Sequence, residues 1–212
     1  MRILQGQTDT ILNDLGHKQA ILVGERFSKE SFNKIYCSDL KRCKQTAAAI
    51  QLHHNTTPVS YVPELRERGF GELSGQSISA IFRKSDGNKY TNVNDYIKEH
   101  GGETDKEFNE RVINAYKDII EDAHQNKYQH ILIVTHGGPL RSLCFWFVTS
   151  PIVTYQYNEQ EANVIKQGRH GNTGVSQVVI FNGDPKNGCI KLFSCSDHLN
   201  SLGSDNYIPP SV

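Results

Sequence analysis

His130-Ile131-Leu132-Ile133-Val134-Thr135-His136-Gly137-Gly138-Pro139 is the stretch on which the fold turns. Its near-continuous apolar run is what a strand buried on both faces requires. His136, two glycines and a proline then break it, and Pro139 is placed to open a helix through Leu140, Leu143 and Phe147. A second unit of this kind is Lys34-Ile35-Tyr36-Cys37-Ser38, a β-prone run that leads into an alanine-rich helix over residues 39–50, with Ser38 or Asp39 as its cap. Apolar periodicity predicts two more helices. One covers residues 14–29, with Leu15, Leu22, Val23 and Phe27 on one face. The other covers residues 104–126, with Phe108, Val112, Ala115, Ile119 and Ala123 as its stripe and Thr104 with Glu107 as a capping box. Strands follow over residues 175–181 and 190–193, separated by the turn Asn182-Gly183-Asp184-Pro185-Lys186-Asn187-Gly188. Alternating strands and helices imply an α/β sandwich around a largely parallel sheet. With no repeat or linker, residues 1–212 read as a single domain.

Composition narrows the function by exclusion. Lys plus Arg equals Asp plus Glu at 23 each, so no net field draws the chain to nucleic acid or to an anionic membrane. Any anion recognition has to be local. The mean hydropathy of −0.52 is that of a soluble protein, and no apolar run is long enough to span a bilayer. The five cysteines (Cys37, Cys43, Cys144, Cys189 and Cys195) form no Cys-x-x-Cys pair. That pattern points to a reducing, cytoplasmic setting with neither a disulfide framework nor a zinc site. His53-His54 reads as a frayed helix end and His17 as surface, with no second ligand pair at helical spacing. No metal or cofactor is expected, and no signal peptide is visible.

Ligands of open α/β sheets sit at the carboxyl ends of the strands, where loops and helix N-termini converge. His136 ends one strand, and the glycines after it let a ligand approach backbone N–H groups. Arg42 lies in the first turn after the other strand, placed for a two-pronged grip on phosphate oxygens. Glu67, in the loop-like Pro63-Glu64-Leu65-Arg66-Glu67-Arg68-Gly69-Phe70-Gly71, is a candidate proton donor to a departing alkoxide. Each has a bland reading as a tight turn, a solvated arginine or a rim ion pair.

Taken in order, the motifs resemble the phosphoglycerate-mutase-like branch of the histidine phosphatase superfamily. The resemblance runs through Leu4-Gln5-Gly6-Gln7-Thr8, Ser38-Asp39-Leu40-Lys41-Arg42, Leu65-Arg66-Glu67, Gly101-Gly102-Glu103-Thr104 with Arg111, and Thr135-His136-Gly137-Gly138. Asn172-Thr173-Gly174-Val175-Ser176 and the tail Asp197-His198-Leu199-Asn200-Ser201-Leu202 are similar to the C-terminal part of TIGAR-type fructose-2,6-bisphosphatases. The resemblance implies a three-layer α/β/α sandwich with a mainly parallel central sheet, and a phosphatase acting on small sugar phosphates such as fructose 2,6-bisphosphate through a phosphohistidine. It assigns Arg42 to the phosphate pocket, His136 as the pocket's second histidine and Glu67 as the acid, with Gln5, Gly6 and Gly137 close to substrate. The segment after Glu67 lacks the Lys and paired-Arg insert of true phosphoglycerate mutases, which favours the phosphatase over the mutase. Selectivity falls to residues 78–94 and 151–171. The partner is a small phosphorylated metabolite.

Gln167-Gly168-Arg169-His170-Gly171-Asn172-Thr173 spells the Arg-His-Gly-x-Thr that the family uses for its nucleophile, where it closes a first strand ahead of Leu-Gln-Gly-Gln. Here Ile165-Lys166-Gln167-Gly168 is too polar and broken for a central strand, and a strand rather than a helix follows. His170 is therefore read as a chance match. As written, the chain opens at Met1-Arg2-Ile3-Leu4-Gln5 and leaves no room for the motif. The expectation is a domain without its first strand, its nucleophilic histidine and one pocket arginine, and hence without turnover. A non-enzymatic pseudophosphatase that binds phosphorylated ligands or a partner is the alternative.

Overall fold

β1 (Lys34–Cys37) lies between β2 (Val59–Tyr61) and β3 (Ile131–Val134), and all three run parallel. Ile35 stands beside Val59 on one side and Leu132 on the other; Cys37 stands between Tyr61 and Val134. The structure, a computed structural model, describes residues 3–77, 79, 81 and 92–202. Side chains alternate across this sheet, as strand geometry requires. Ile35, Cys37, Leu132 and Val134 face Val23 of α1 (Asp14–Phe27) and Cys43, Ala47 and Ile50 of α2 (Lys41–Gln51). Tyr36, Ile131 and Ile133 face Ala115 and Ile119 of α4 (Asp105–Gln125) on the opposite side. Helices on both faces of a parallel sheet are the layers expected from the sequence.

The helix stripe on α4 is buried as its period implies, and the Thr104–Glu107 capping box forms. Phe108, Val112, Tyr116 and Ile120 pack on Leu143, Cys144, Trp146 and Phe147 of α5 (Gly137–Thr149). The cap of α2 differs from expectation. Leu40 is its N-cap residue and supplies no side-chain bond. Asp9 Oδ1 accepts from the Lys41 N–H at 2.7 Å instead. Ser38 and Asp39 are taken by tertiary partners, His136 at 2.8 Å and Arg66 respectively, so neither is left to cap. His54 also departs from the frayed-end reading. It is buried, with Nε2 3.0 Å from the Phe27 carbonyl and its ring against Phe32.

A second three-stranded sheet holds β4 (Thr154–Gln156), β5 (Val175–Ile180) and β6 (Asn187–Cys195) in the order β4-β6-β5. β5 and β6 are antiparallel, and β6 begins at Asn187 rather than near Ile190 because Gly188 and Cys189 pair with Ile180 and Val179. Two short helices, α3 (Val93–Glu99) and α6 (Ala162–Gln167), carry no period long enough to read in advance. Most of residues 78–91, in the first of the expected selectivity segments, lie outside the described residues.

The two sheets serve common cores. Val175 packs with Val134 against α1 and α2, while Val178, Ile180 and Phe193 join Ile131 and Ile133 against α4 and α5. Among the described residues, however, β3 has β1 as its one partner strand and β5 has β6. This changes the status of β3. It has the most apolar sequence in the sheet, yet Ile131, Leu132 and Ile133 are half-buried, whereas Ile35 and Cys37 are fully buried in β1. Helices cover its faces, but its outer edge lacks a ladder. An open edge leaves backbone groups to water. In hydrogen exchange on this 212-residue chain, the β3 amides that point away from β1 should exchange at least about 100-fold faster than those of β1. Equal protection along both strands would contradict that reading of the edge.

Candidate active site

The carboxyl ends of β1 and β3 bring together two of the residues singled out by sequence, Arg42 and His136. β1 leads through Ser38 into α2, which carries Arg42 in its first turn; β3 leads through Thr135 to His136, the N-cap residue of α5. Arg42 Nε donates to His136 Nδ1 at 3.1 Å. Its remaining donors go to backbone carbonyls, Nη1 to Thr8 and Nη2 to Gly6, each at 2.9 Å. The loop that contains Gly6 is thereby clamped on α2. Gly6 takes a positive φ of 53°, and a Cβ there would stand 3.0 Å from Phe70, so a larger residue meets both strain and a neighbour.

Because an arginine N–H always donates, Nδ1 of His136 must be the acceptor and Nε2 carries the proton, directed at Ser38 Oγ. Burial, then the cationic Arg42 and Arg111, push the His136 imidazole down from its ordinary 6.5 to about 3. It is neutral at physiological pH. Arg42 is itself pulled below its ordinary value by burial and remains a cation. Cys43, one residue on, points Sγ at the same imidazole, 3.5 Å from Nε2, and burial raises its thiol to about 12. It is a packed thiol rather than a thiolate.

Glu67 arrives from the loop after β2. Its Oε2 accepts the Gly138 N–H at 3.0 Å and its Oε1 the Arg68 N–H at 2.8 Å, so the carboxyl sits at the N-terminus of α5, two residues beyond His136. A Cβ on Gly138 would fall inside Glu67 Oε1, whereas one on Gly137 would meet open space. Sequence reasoning chose Gly137; the glycine that the packing requires is Gly138.

Two further residues hold the loop in place. Arg111 grips Glu103 with Nε and Nη2, both at 2.7 Å. It also donates to the carbonyls of Glu64 at 2.6 Å, Arg66 at 3.1 Å and Glu67 at 3.3 Å. Gln7 Nε2 donates to the Glu67 carbonyl at 3.1 Å. Gln5, chosen from the sequence, is exposed, and its carbonyl accepts from Thr8 N–H; the side chain turned to the cluster belongs to Gln7. The positional signal for Gln7 was two residues away and gave no hint of which glutamine turns inward.

His170 lies elsewhere. It follows α6, whose end is the left-handed Gly168, not a strand. Nδ1 is 3.1 Å from the Gly168 carbonyl and Nε2 2.8 Å from Ser176 Oγ, and the ring packs edge-on against Phe193. One nitrogen is satisfied by the end of α6 and the other by β5 of the second sheet. Nearby, Thr173 Oγ1 and Arg26 Nη1 hold the two nitrogens of His198 at 3.0 and 3.1 Å, joining the two C-terminal motifs to α1. Among the described residues no group of three or more His, Cys, Asp or Glu is placed to hold a metal, and no helix is long and apolar enough to cross a membrane.

A model of the histidine phosphatase superfamily (branch 1) matches residues 1–184. The chain belongs to the histidine phosphatase superfamily. Within that superfamily it is similar to phosphoglycerate mutase-like protein 4 of Arabidopsis thaliana, 32% identical over 206 residues that span 95% of this chain and 82% of the relative. It is also similar to fructose-2,6-bisphosphatase TIGAR B of Danio rerio, 29% identical over 169 residues, 66% of each chain. The crystal structure of an alpha-ribazole phosphatase from Shigella flexneri shares the fold with a TM-score of 0.69 at 23% identity, covering 91% of this chain and 88% of that one.

The depressed imidazole makes this histidine phosphatase acid-sensitive in a defined direction. His136 binds no proton when folded until about pH 3, but titrates near 6.5 when unfolded. The unfolded state holds the extra proton between these limits, so stability is greatest above pH 6.5 and falls as the pH drops, by up to about 1.4 kcal/mol per pH unit from this group. His170 and His198 are shifted in the same direction. Urea midpoints followed by the fluorescence of the single tryptophan, Trp146, should show this slope, and His136→Asn should flatten it in part. Gly138→Ala should leave the fold intact and displace Glu67, visible as faster hydrogen exchange of the Arg68 amide that Glu67 Oε1 accepts.

Proposed function

We propose that the Arg42–His136–Glu67 cluster holds the phosphoryl group of small phosphate esters, sugar phosphates such as fructose 2,6-bisphosphate among them, in a phosphatase site of the phosphohistidine type. The observation that carries this reading is the state of Arg42. It is a half-buried cation that forms none of the ion pairs among the described residues and is flanked by a neutral imidazole. Phosphoryl transfer needs converging positive charge and hydrogen-bond donors around the equatorial oxygens, with a proton for the leaving oxygen. Arg42 supplies the charge. His136 Nε2–H, released from Ser38, supplies a donor, and Glu67 at the opening of α5 supplies the proton. At the α5 N-terminus the Gly138 N–H is taken by Glu67, and the unobstructed Gly137 leaves its backbone open to the approach of an anion. The balanced net charge and five free cysteines fit a small-metabolite enzyme of the cytoplasm.

The second imidazole that such chemistry uses as nucleophile has no counterpart in the described cluster, where His136 is the histidine bonded to Arg42 and His170 is occupied elsewhere. We therefore expect these 212 residues to bind phosphate and to turn esters over several orders of magnitude more slowly than a covalent enzyme. A binding-only pseudophosphatase is the second reading, favoured by the same vacancy.

Inorganic phosphate at 10 times its Kd should stabilise the chain by about 1.4 kcal/mol in thermal unfolding, and Arg42→Ala should remove that stabilisation. A phosphate response that survives in Arg42→Ala would sink the site. Hydrolysis of p-nitrophenyl phosphate separates the two readings: residual turnover abolished by His136→Ala favours the enzyme, and its absence favours the binding protein.

A further inference from the structure

A cavity of about 630 Å³ opens beside the cluster, lined by Gln7, Thr8, Arg66, Phe70, Glu103 and Arg111 among others. Arg42, Glu67 and His136 do not line it. It abuts them through Thr8, whose carbonyl holds Arg42, and through Gln7 and Arg111, which hold the Glu67 carbonyl. Its size suits the non-phosphate part of a small ester. The charge state of its wall then decides what that part can be.

Both guanidinium groups in the wall are neutralised. Arg66 is bound in two-pronged fashion by Asp39, Nε to Oδ1 at 2.6 Å and Nη2 to Oδ2. Arg111 is bound in the same way by Glu103, and its last donor goes to backbone carbonyls. The neighbouring Arg68 is spent on Asp105, Asn94 and the Glu103 carbonyl. Glu64 adds a further carboxylate to the wall. Two cations, Arg66 and Arg111, and two carboxylates, Glu64 and Glu103, line the cavity, and Asp39, the partner of Arg66 outside the lining, brings the local balance to one negative charge. Arg141, exposed on α5, does not line the cavity. Two-pronged pairs of this kind are among the strongest side-chain hydrogen bonds, and breaking one to receive an anion strands the carboxylate.

Building on the phosphate reading above, we infer that the site takes monophosphate esters whose leaving group carries no net negative charge, such as a sugar or another polyol, and gives a second phosphate no counter-charge. Of the arginines that bond the cluster or line the cavity, Arg42 is the one that none of the ion pairs among the described residues includes, and it marks one phosphate position. The hydroxyl-bearing part of the ligand meets Gln7, Thr8 and Ser74, with Phe70 as an apolar wall. A bisphosphate must leave its second phosphate, with up to two negative charges, against carboxylates or in water.

Calorimetric titration of the 212-residue chain with inorganic phosphate, fructose 6-phosphate and fructose 2,6-bisphosphate, at one ionic strength, tests this. Binding alone is read, so turnover is not needed. The two esters should bind within about fivefold of each other. Asp39→Asn, which frees Arg66, should then favour the bisphosphate over the monophosphate by more than that margin. A wild-type preference for the bisphosphate beyond fivefold, or no change of preference in a folded Asp39→Asn, overturns the inference while the phosphate site stands. The wild-type ratio decides the matter if Asp39→Asn does not fold. Failure of all three ligands to bind overturns the phosphate reading and this inference together.

Discussion

The contact on which the site depends is the one between Arg42 and His136. Burial first, and then the guanidinium pressed against it at 3.1 Å, keep the imidazole neutral, because a second positive charge there would be desolvated and repelled by the first. The same contact fixes the tautomer, since Nδ1 has to accept. It also leaves Arg42 with carbonyl dipoles for partners where a carboxylate would ordinarily stand. Carbonyls satisfy its donors without cancelling its charge. A partly desolvated guanidinium held by carbonyls, with no carboxylate bonded to it, is the feature on which the proposed phosphate site rests.

The surrounding arginines make the point by contrast. Arg66, Arg68 and Arg111 each hold a carboxylate, and each pair ties a loop to a helix or to another loop. Arg111 is the most extensively bonded of them, collecting three carbonyls from the loop that carries Glu67. These are positioning residues. Their charges are cancelled by those carboxylates, which sets Arg42, beside Glu67 and the α5 N-terminus, apart as a guanidinium held by carbonyls. The glycine pair after His136 divides the labour. Gly138 admits the Glu67 carboxyl, while Gly137 leaves the backbone bare.

The site also sits on an unusual sheet. β1, which leads to Arg42, has a partner on each side, but β3, which ends at His136, is the outer strand of its sheet among the described residues. Helices on both faces still bury Val134 and hold the strand's carboxyl end in place, aided by the 2.7 Å bond from Thr135 Oγ1 to the Leu65 carbonyl. The position of His136 therefore relies on face packing and on contacts at the strand's end more than on a continuous ladder.

Patterns of short range were legible in the sequence. The period of Phe108, Val112, Ala115 and Ile119, the Thr104–Glu107 box and the apolar run before His136 each depend on neighbours a few residues away, so they determined the elements and the α/β layering. The ordered motifs likewise determined the family, and the polar break before His170 set that histidine apart from a strand-end position. What only the tertiary structure decided involves residues far apart in the chain: that Asp9 caps α2, that Gln7 rather than Gln5 turns inward, that Gly138 is the glycine without room for a side chain, and that His54 is buried. Above all, the sequence shows arginines and carboxylates in equal number but not which of them pair. Charge cancels through space, and only the fold brings Asp39 to Arg66 and Glu103 to Arg111 while leaving Arg42 with none.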